Sequence, residues 1–241
     1  VLKLSNRIAM SPMTRDRAGP DDVPNDMMVE YYRQRASAGL IVTEGVQPSA
    51  VGKGYWRTPG IWSDAQIAGW ARVADAVHAE GGQIVMQIMH CGRVVVPANR
   101  GYEADVIAPS ALPCPDKVPG PDGVPAETAL PRALAADELP ALAAEFATAA
   151  RNARAAGIDG VELHASSGYL INQFLNSPEG APPSVGSIEE RDRADVPRFL
   201  NRLLGLDPPA QAAVFDFFQA TLDEMVARGR RDGTLGGSEI S

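Results

Sequence analysis

Four short apolar runs, "RIAMSPM" (7–13), "LIVTEGV" (40–46), "QIVMQIMH" (83–90) and "DGVELHAS" (159–166), are each separated from the next by a longer stretch of helical periodicity. Strands that alternate with helices build a parallel sheet, so the chain is an α/β protein made of about four βα units. Each run also ends in polar or small residues: "SPMTR", "TEG", "QIMHCGR" and "HASSGY". In a parallel barrel the C-terminal strand ends converge on one face, and the active site forms there. The fourth run begins as a buried strand with Val161 and Leu163 alternating, then leads into His164, Ser166, Ser167 and Tyr169 within six positions, which makes it the candidate site.

The connecting segments support this reading. A helix is expected from Asp26 to Ala38, stopped by Gly39, and a second after Ser63, which is suited to be its N-cap; Ile67, Trp70, Ala71, Ala74 and Val77 lie on one face of the second, ahead of Gly81 and Gly82. A third is expected from about Asp137 to Ala156, with Leu139, Leu142, Phe146, Ala149 and Ala153 at helical spacing and Gly157 at the C′ position. Residues 97–135, rich in proline and glycine, read as a long loop of the kind that forms a lid or rim.

Composition narrows the function classes. A net charge of −8 with no lysine- or arginine-rich run leaves no electrostatic footprint for nucleic acid or anionic lipid. Only Cys91 and Cys114 occur, without CxxC spacing, and no apolar run approaches the ~18 residues of a membrane span, so a soluble, cytoplasmic protein is the expectation. The sequence begins at Val1 inside a strand-like segment, so its true start is expected to lie upstream and no targeting signal can be judged.

The stretches "LSNRIAMSPMTR", "YYRQRASAGLIVTEG", "GYWRTPGIWSD", "QIMHCGR" and "GVELHASSGYLINQFL" stand in the order and spacing of the Old Yellow Enzyme family of FMN-dependent ene-reductases. The chain resembles that family over residues 1–177, and the resemblance implies a partial TIM barrel. It also implies a cofactor, FMN, and a reductant, NAD(P)H, that reaches the flavin in the same pocket without a separate dinucleotide-binding domain. Ser11, Pro12, Met13 and Thr14 would line the flavin, with Thr14 tuning its electron affinity; Gly45 would lie under the ring, and Gln87 would pair with its pyrimidine edge. His164 and Ser167 would anchor the carbonyl of an activated alkene, and Tyr169 would donate the proton opposite the hydride. Tyr55 would close the other side of the pocket.

Two features depart from the family pattern. Ser167 stands where the family carries His or Asn, so the second carbonyl donor has a shorter reach. After Pro178 the sequence no longer matches the four further strands that bring an arginine and the phosphate site, so weaker FMN binding is expected. Residues 178–241 read instead as a linker and an α-helical tail, with helices near 195–205 and 209–228 that would cover the open sheet edges unless a second chain does so as a homo-oligomer. Part of this tail resembles strawberry-notch-type helicase-like proteins over about forty residues, and the closing "GGSEIS" is similar to a "GGS" that follows the fourth strand in ene-reductases.

Blander roles are open to several of these residues. His90 and Cys91 lack further ligands and fit packing better than a metal site. His78 suits a helix surface, and Met10, Met13, Met86 and Met89 suit barrel core and flavin-facing filler. Two functions remain: an FMN-dependent reductase of small activated alkenes weakened by truncation, or an inactive half-barrel whose helical tail mediates assembly.

Overall fold

The computed structural model describes residues 3–175; the expected linker and helical tail lie outside the described residues. In chain order the elements are β1 (Ala9–Met10), α1 (Asp26–Arg33), β2 (Leu40–Val46), α2 (Asp64–Ala79), β3 (Ile84–Ile88), β4 (Ile107–Ala108), β5 (Val118–Pro119), β6 (Pro125–Ala126), β7 (Arg132–Ala133), α3 (Leu139–Ala155), β8 (Gly160–Leu163) and α4 (Leu170–Leu175). Strands β1, β2, β3 and β8 form one sheet in that order, every pair parallel, with α1, α2 and α3 as the crossovers. This is the winding of a TIM barrel, and the described residues hold its first four strands.

Local signals set the helix ends. Ser63 caps α2 by accepting from the Gln66 N–H, and the Gln66 side chain accepts in return from the Ser63 N–H, a complete capping box. Helix α3 ends at Gly157 with φ of 80°, where Gly157 N–H donates to the Arg154 carbonyl and Ile158 N–H to the Ala153 carbonyl; this Schellman closure needs the left-handed residue that glycine supplies. Helix α1 is shorter than its periodicity implies. Beyond Arg33 the chain tightens into turns in which Arg35, Ala36 and Ala38 each donate three residues back. It then straightens at Gly39, where a Cβ would meet the Asn6 carbonyl oxygen at 2.1 Å.

The core lies between the sheet and its helices: Ile41, Val46, Ile84, Met86 and Ile88 from the strands meet Tyr32, Trp70, Val73, Val77, Leu142 and Phe146. Three expectations change. Strand β1 spans two residues rather than seven, because Pro12 has no N–H to continue the ladder. Strand β8 is not buried: Val161 is 42% exposed, because β8 has a neighbour on one side only among the described residues. Residues 97–135 are no plain loop either. They hold the two-residue pairs β4–β7 and β5–β6, the latter turned by Gly120–Gly123. Cys114 and Val118 from this region join Met89, Cys91, Val94, Val95 and Val96 in a second apolar cluster, and Tyr55 and Tyr169 pack on it.

Candidate active site

The sheet register brings the expected residues to one end. Gly45 pairs with Gln87 and Gln87 with Glu162, so three adjacent strands present them at one level, and the His164 N–H donates to the Ile88 carbonyl just beyond. Ser11, Met13 and Thr14 follow β1 as an exposed turn, with Pro12 half-buried. Met13 is therefore not core filler, whereas Met86 and Met89 are buried.

A bulge controls this level. Between Val42 and Gly45, β2 uses one more residue than β3 does between Val85 and Gln87. The Gln87 N–H is taken by the Thr43 hydroxyl at 3.1 Å, and that hydroxyl donates to the Glu44 carbonyl at 2.8 Å. The Gln87 side-chain amide donates to Glu162 at 3.1 Å. A Cβ on Gly45 would come within 2.6 Å of Met89 Cε, which gives the glycine a packing reason independent of any ligand.

At the other side, Tyr55 and Tyr169 hydroxyls are 2.9 Å apart, their rings edge to face. The His164 ring is centred 5.0 Å from that of Tyr169. Burial raises the pKa of both phenols; the hydrogen bond from Tyr55 opposes that rise at Tyr169. Burial lowers the pKa of His164, with Glu162 opposing, so the imidazole is neutral near pH 7. Ser166 Oγ lies 3.4 Å from His164 Nδ1 and 3.4 Å from Ser167 Oγ. A Ser166 hydroxyl donating to Nδ1 leaves the ring proton on Nε2, ready for an acceptor. Ser167 sits at φ of 61°, a left-handed conformation that Asn adopts more readily than Ser.

Supporting contacts hold the turn in place. Gly168 N–H donates to Asn172 Oδ1, and Gln173 Nε2 donates to the carbonyls of Gly168 and Cys91. Beneath the turn, His90 accepts from the Gly92 N–H, stacks on Phe146 and is pushed down to about 3 by burial; the Cys91 thiol is pushed up to about 12. Both are neutral packing groups at pH 7. Among the described residues no group of His, Cys, Asp or Glu is placed to hold a metal ion, both cysteines are free, and no helix is long and apolar enough to cross a membrane.

The residues present fit a flavin. Among the described residues nothing accepts from the N–H groups of Met13 and Thr14, which leaves two main-chain donors open in the turn that follows β1. Gln87 adds an amide that both donates and accepts. Glu44 is the residue that motif reading missed. It is a buried carboxylate, in contact with the turn at Arg15, and its signal was an acid inside an otherwise apolar strand.

A parallel barrel whose strand ends carry two phenols, an imidazole and a set of amide donors is the layout of a barrel-type oxidoreductase. Residues 1–196 match the model of the NADH:flavin oxidoreductase / NADH oxidase family, and the chain belongs to that family. It is 48% identical over 216 residues to chanoclavine-I aldehyde reductase fgaOx3 of Penicillium roqueforti, covering 86% of this chain and 55% of the relative. It is 43% identical over 199 residues to a Leishmania infantum protein named "Probable flavin mononucleotide-dependent alkene reductase", covering 79% and 54%. Among solved structures, the old yellow enzyme homologue of Zymomonas mobilis superposes with a TM-score of 0.73 at 40% identity, covering 83% of this chain and 55% of that one. The chain thus spans about half the length of the relatives it matches. FMN and a nicotinamide reductant are the cofactors of this family.

Proposed function

We propose that this chain carries the flavin-facing and proton-donating part of an FMN-dependent oxidoreductase that reduces activated alkenes, enones and similar compounds, at the expense of NADH or NADPH. The observation that carries the reading is the joining of Tyr55, Tyr169 and His164 at the strand ends that also present Gln87 and the Ser11–Thr14 turn.

Bound FMN would supply the hydride to the β-carbon of the alkene. The chain's residues do the rest. Neutral His164 donates through Nε2 to the substrate carbonyl oxygen, where charge collects as the hydride arrives, and Ser167 supplies the second, shorter donor. Tyr169 stays protonated because burial raises its pKa, and it delivers its proton to the α-carbon. Tyr55 then offers its hydroxyl hydrogen to the Tyr169 oxygen as negative charge forms there. The apolar cluster of Met89, Cys91 and Val94–Val96 beneath the two rings keeps water from competing as a proton source.

The test is a spectrum followed by a turnover assay. Purified chain mixed with FMN should show the oxidised-flavin bands shifted from those of free FMN, bleach with NADH or NADPH, and recover on addition of an enone. A chain that leaves the FMN spectrum and fluorescence unchanged refutes the reading.

A further inference from the structure

Strand β2 carries three consecutive residues that each make a different long-range contact. Thr43 holds the Gln87 N–H, Gly45 makes room for Met89, and Glu44 turns to the opposite neighbour. Glu44 is 1% exposed. One of its oxygens accepts from the Arg15 N–H at 3.3 Å and the other from the Tyr32 hydroxyl at 3.2 Å, and Tyr32 in turn accepts from the Glu44 N–H at 2.9 Å. Tyr32 is itself fully buried in α1. A buried carboxylate is costly unless every oxygen is paired, and here the pairing partner from the 11–17 segment is a main-chain amide one residue beyond Thr14.

That amide contact is a tertiary hydrogen bond to the turn. Ser11, Met13 and Thr14 are exposed, and the N–H groups of Met13 and Thr14 have no partner among the described residues. Besides the Arg15 tie, the turn is anchored where β1 ends at Met10, where Asn25 Nδ2 donates to the Arg17 carbonyl, and where Ala18 and Arg57 exchange hydrogen bonds. The bulge between Val42 and Gly45 makes the arrangement feasible, because the extra residue lets Thr43 and Glu44 serve the two flanking elements at once.

We infer that Glu44 is a positioning residue for the flavin-facing turn: its carboxylate fixes the Arg15 amide and thereby aims Met13 and Thr14, while the adjacent Thr43 fixes Gln87. The inference rests on the FMN reading given above. A glutamine at 44 keeps the shape but has one carbonyl oxygen for two donors, so either Tyr32 or Arg15 faces an NH₂ group. At pH 8, above the pKa of about 7 to which burial raises Glu44, loss of its charge-assisted hydrogen bond to the turn corresponds to about a tenfold weakening of what the turn holds.

The experiment uses the full chain with FMN as the probe. Glu44→Gln should raise the FMN dissociation constant about tenfold, displace the visible flavin band, and speed hydrogen exchange at the Arg15 amide by a similar factor. Asn152→Ala, which removes a remote bond from α3 to the Ile61 carbonyl, serves as the comparison for general loosening and should change none of these. An Arg15 amide equally protected in Glu44→Gln overturns the inference, as does a flavin band and affinity altered no more than in Asn152→Ala. Should Glu44→Gln not fold, Glu44→Asp keeps the charge but draws the carboxylate back from the Arg15 N–H by one methylene, and the same readouts should move in the same direction; unchanged readouts overturn the inference there too. Wild-type chain that binds no FMN, yet loses Arg15 protection in Glu44→Gln, refutes the FMN reading and leaves the positional role standing.

Discussion

The hydroxyls of Tyr55 and Tyr169 meet at 2.9 Å across 114 residues of sequence, and at Tyr169 this hydrogen bond opposes the rise in pKa that burial imposes. Tyr169→Phe should leave reduction of bound flavin by a nicotinamide intact while slowing alkene turnover about 10²–10⁴-fold, since a phenol acting as proton donor enters only the oxidative half-reaction. Stopped-flow measurement of the two half-reactions separates them. Equal slowing of both would remove Tyr169 from the proton-donor role.

Tyr55→Phe should act more gently and through its neighbour. Losing the Tyr55 hydrogen bond lets burial push the Tyr169 pKa higher still, so Tyr169 holds its proton further into alkali. The alkaline limb of the pH–rate profile for alkene reduction should therefore move up, with a loss of about tenfold or less near neutral pH. An alkaline limb that stays in place or moves down would contradict this.

Ser167→Asn should gain on two counts. Its backbone sits at φ of 61°, which asparagine tolerates better than serine, so thermal stability should rise slightly. The longer amide also reaches a carbonyl that the serine hydroxyl, only 3.4 Å from Ser166 Oγ, serves poorly. Alkene reduction should rise roughly tenfold in a flavin-loaded protein. A variant of unchanged turnover would show that the second donor does not limit the rate.

Much of the fold is legible in short-range chemistry. The Ser63–Gln66 spacing announces the start of α2, Gly157 announces the end of α3, and the apolar faces carrying Trp70 and Phe146 are read correctly from periodicity. The Pro121-Asp122-Gly123 step also carries a turn signal for the β5–β6 pair, with Gly123 at φ of 78°, but it is masked by the proline density around it. What periodicity cannot give is the identity of a neighbour. Val161 alternates like a buried residue, and its exposure depends on which strand stands beside β8. Glu44 shows the same limit at the site: its partners Tyr32 and Arg15 lie 12 and 29 residues away, on elements that only the folded sheet brings together.

The segment bearing Tyr55 is held by a buried ion pair between Lys53 and Asp22, whose side chains are 4% and 5% exposed. Tyr102 donates to the same carboxylate, and Arg100 clasps the Lys53 and Val51 carbonyls. Asp22→Ala would strand a buried ammonium and should cost about 3–5 kcal/mol in urea unfolding. A cost under about 1 kcal/mol would mean that water reaches Lys53 once the carboxylate is gone.

Glu44 gives the pH dependence of stability a definite sign. Burial raises its pKa from 4.5 to about 7; the Arg15 amide, the Tyr32 hydroxyl and the Arg15 charge pull the other way, and Asp16 adds to the rise. Tyr32, raised well above its ordinary value, stays neutral throughout. Between about pH 4.5 and 7 the folded chain therefore holds a proton on Glu44 that the unfolded chain has released. The stabilising contribution is complete below the unfolded value and is lost as pH rises through about 7, an effect on the order of 3 kcal/mol for a shift of this size. Glu44→Gln removes the titrating group, so its unfolding free energy should fall less than that of wild type across this range, and the two curves should run parallel above pH 8. Urea unfolding at half-unit pH steps measures this directly. Wild-type and variant curves of equal slope from pH 5 to 7 would show that Glu44 titrates near its ordinary value and that its seat beside Arg15 is open to water.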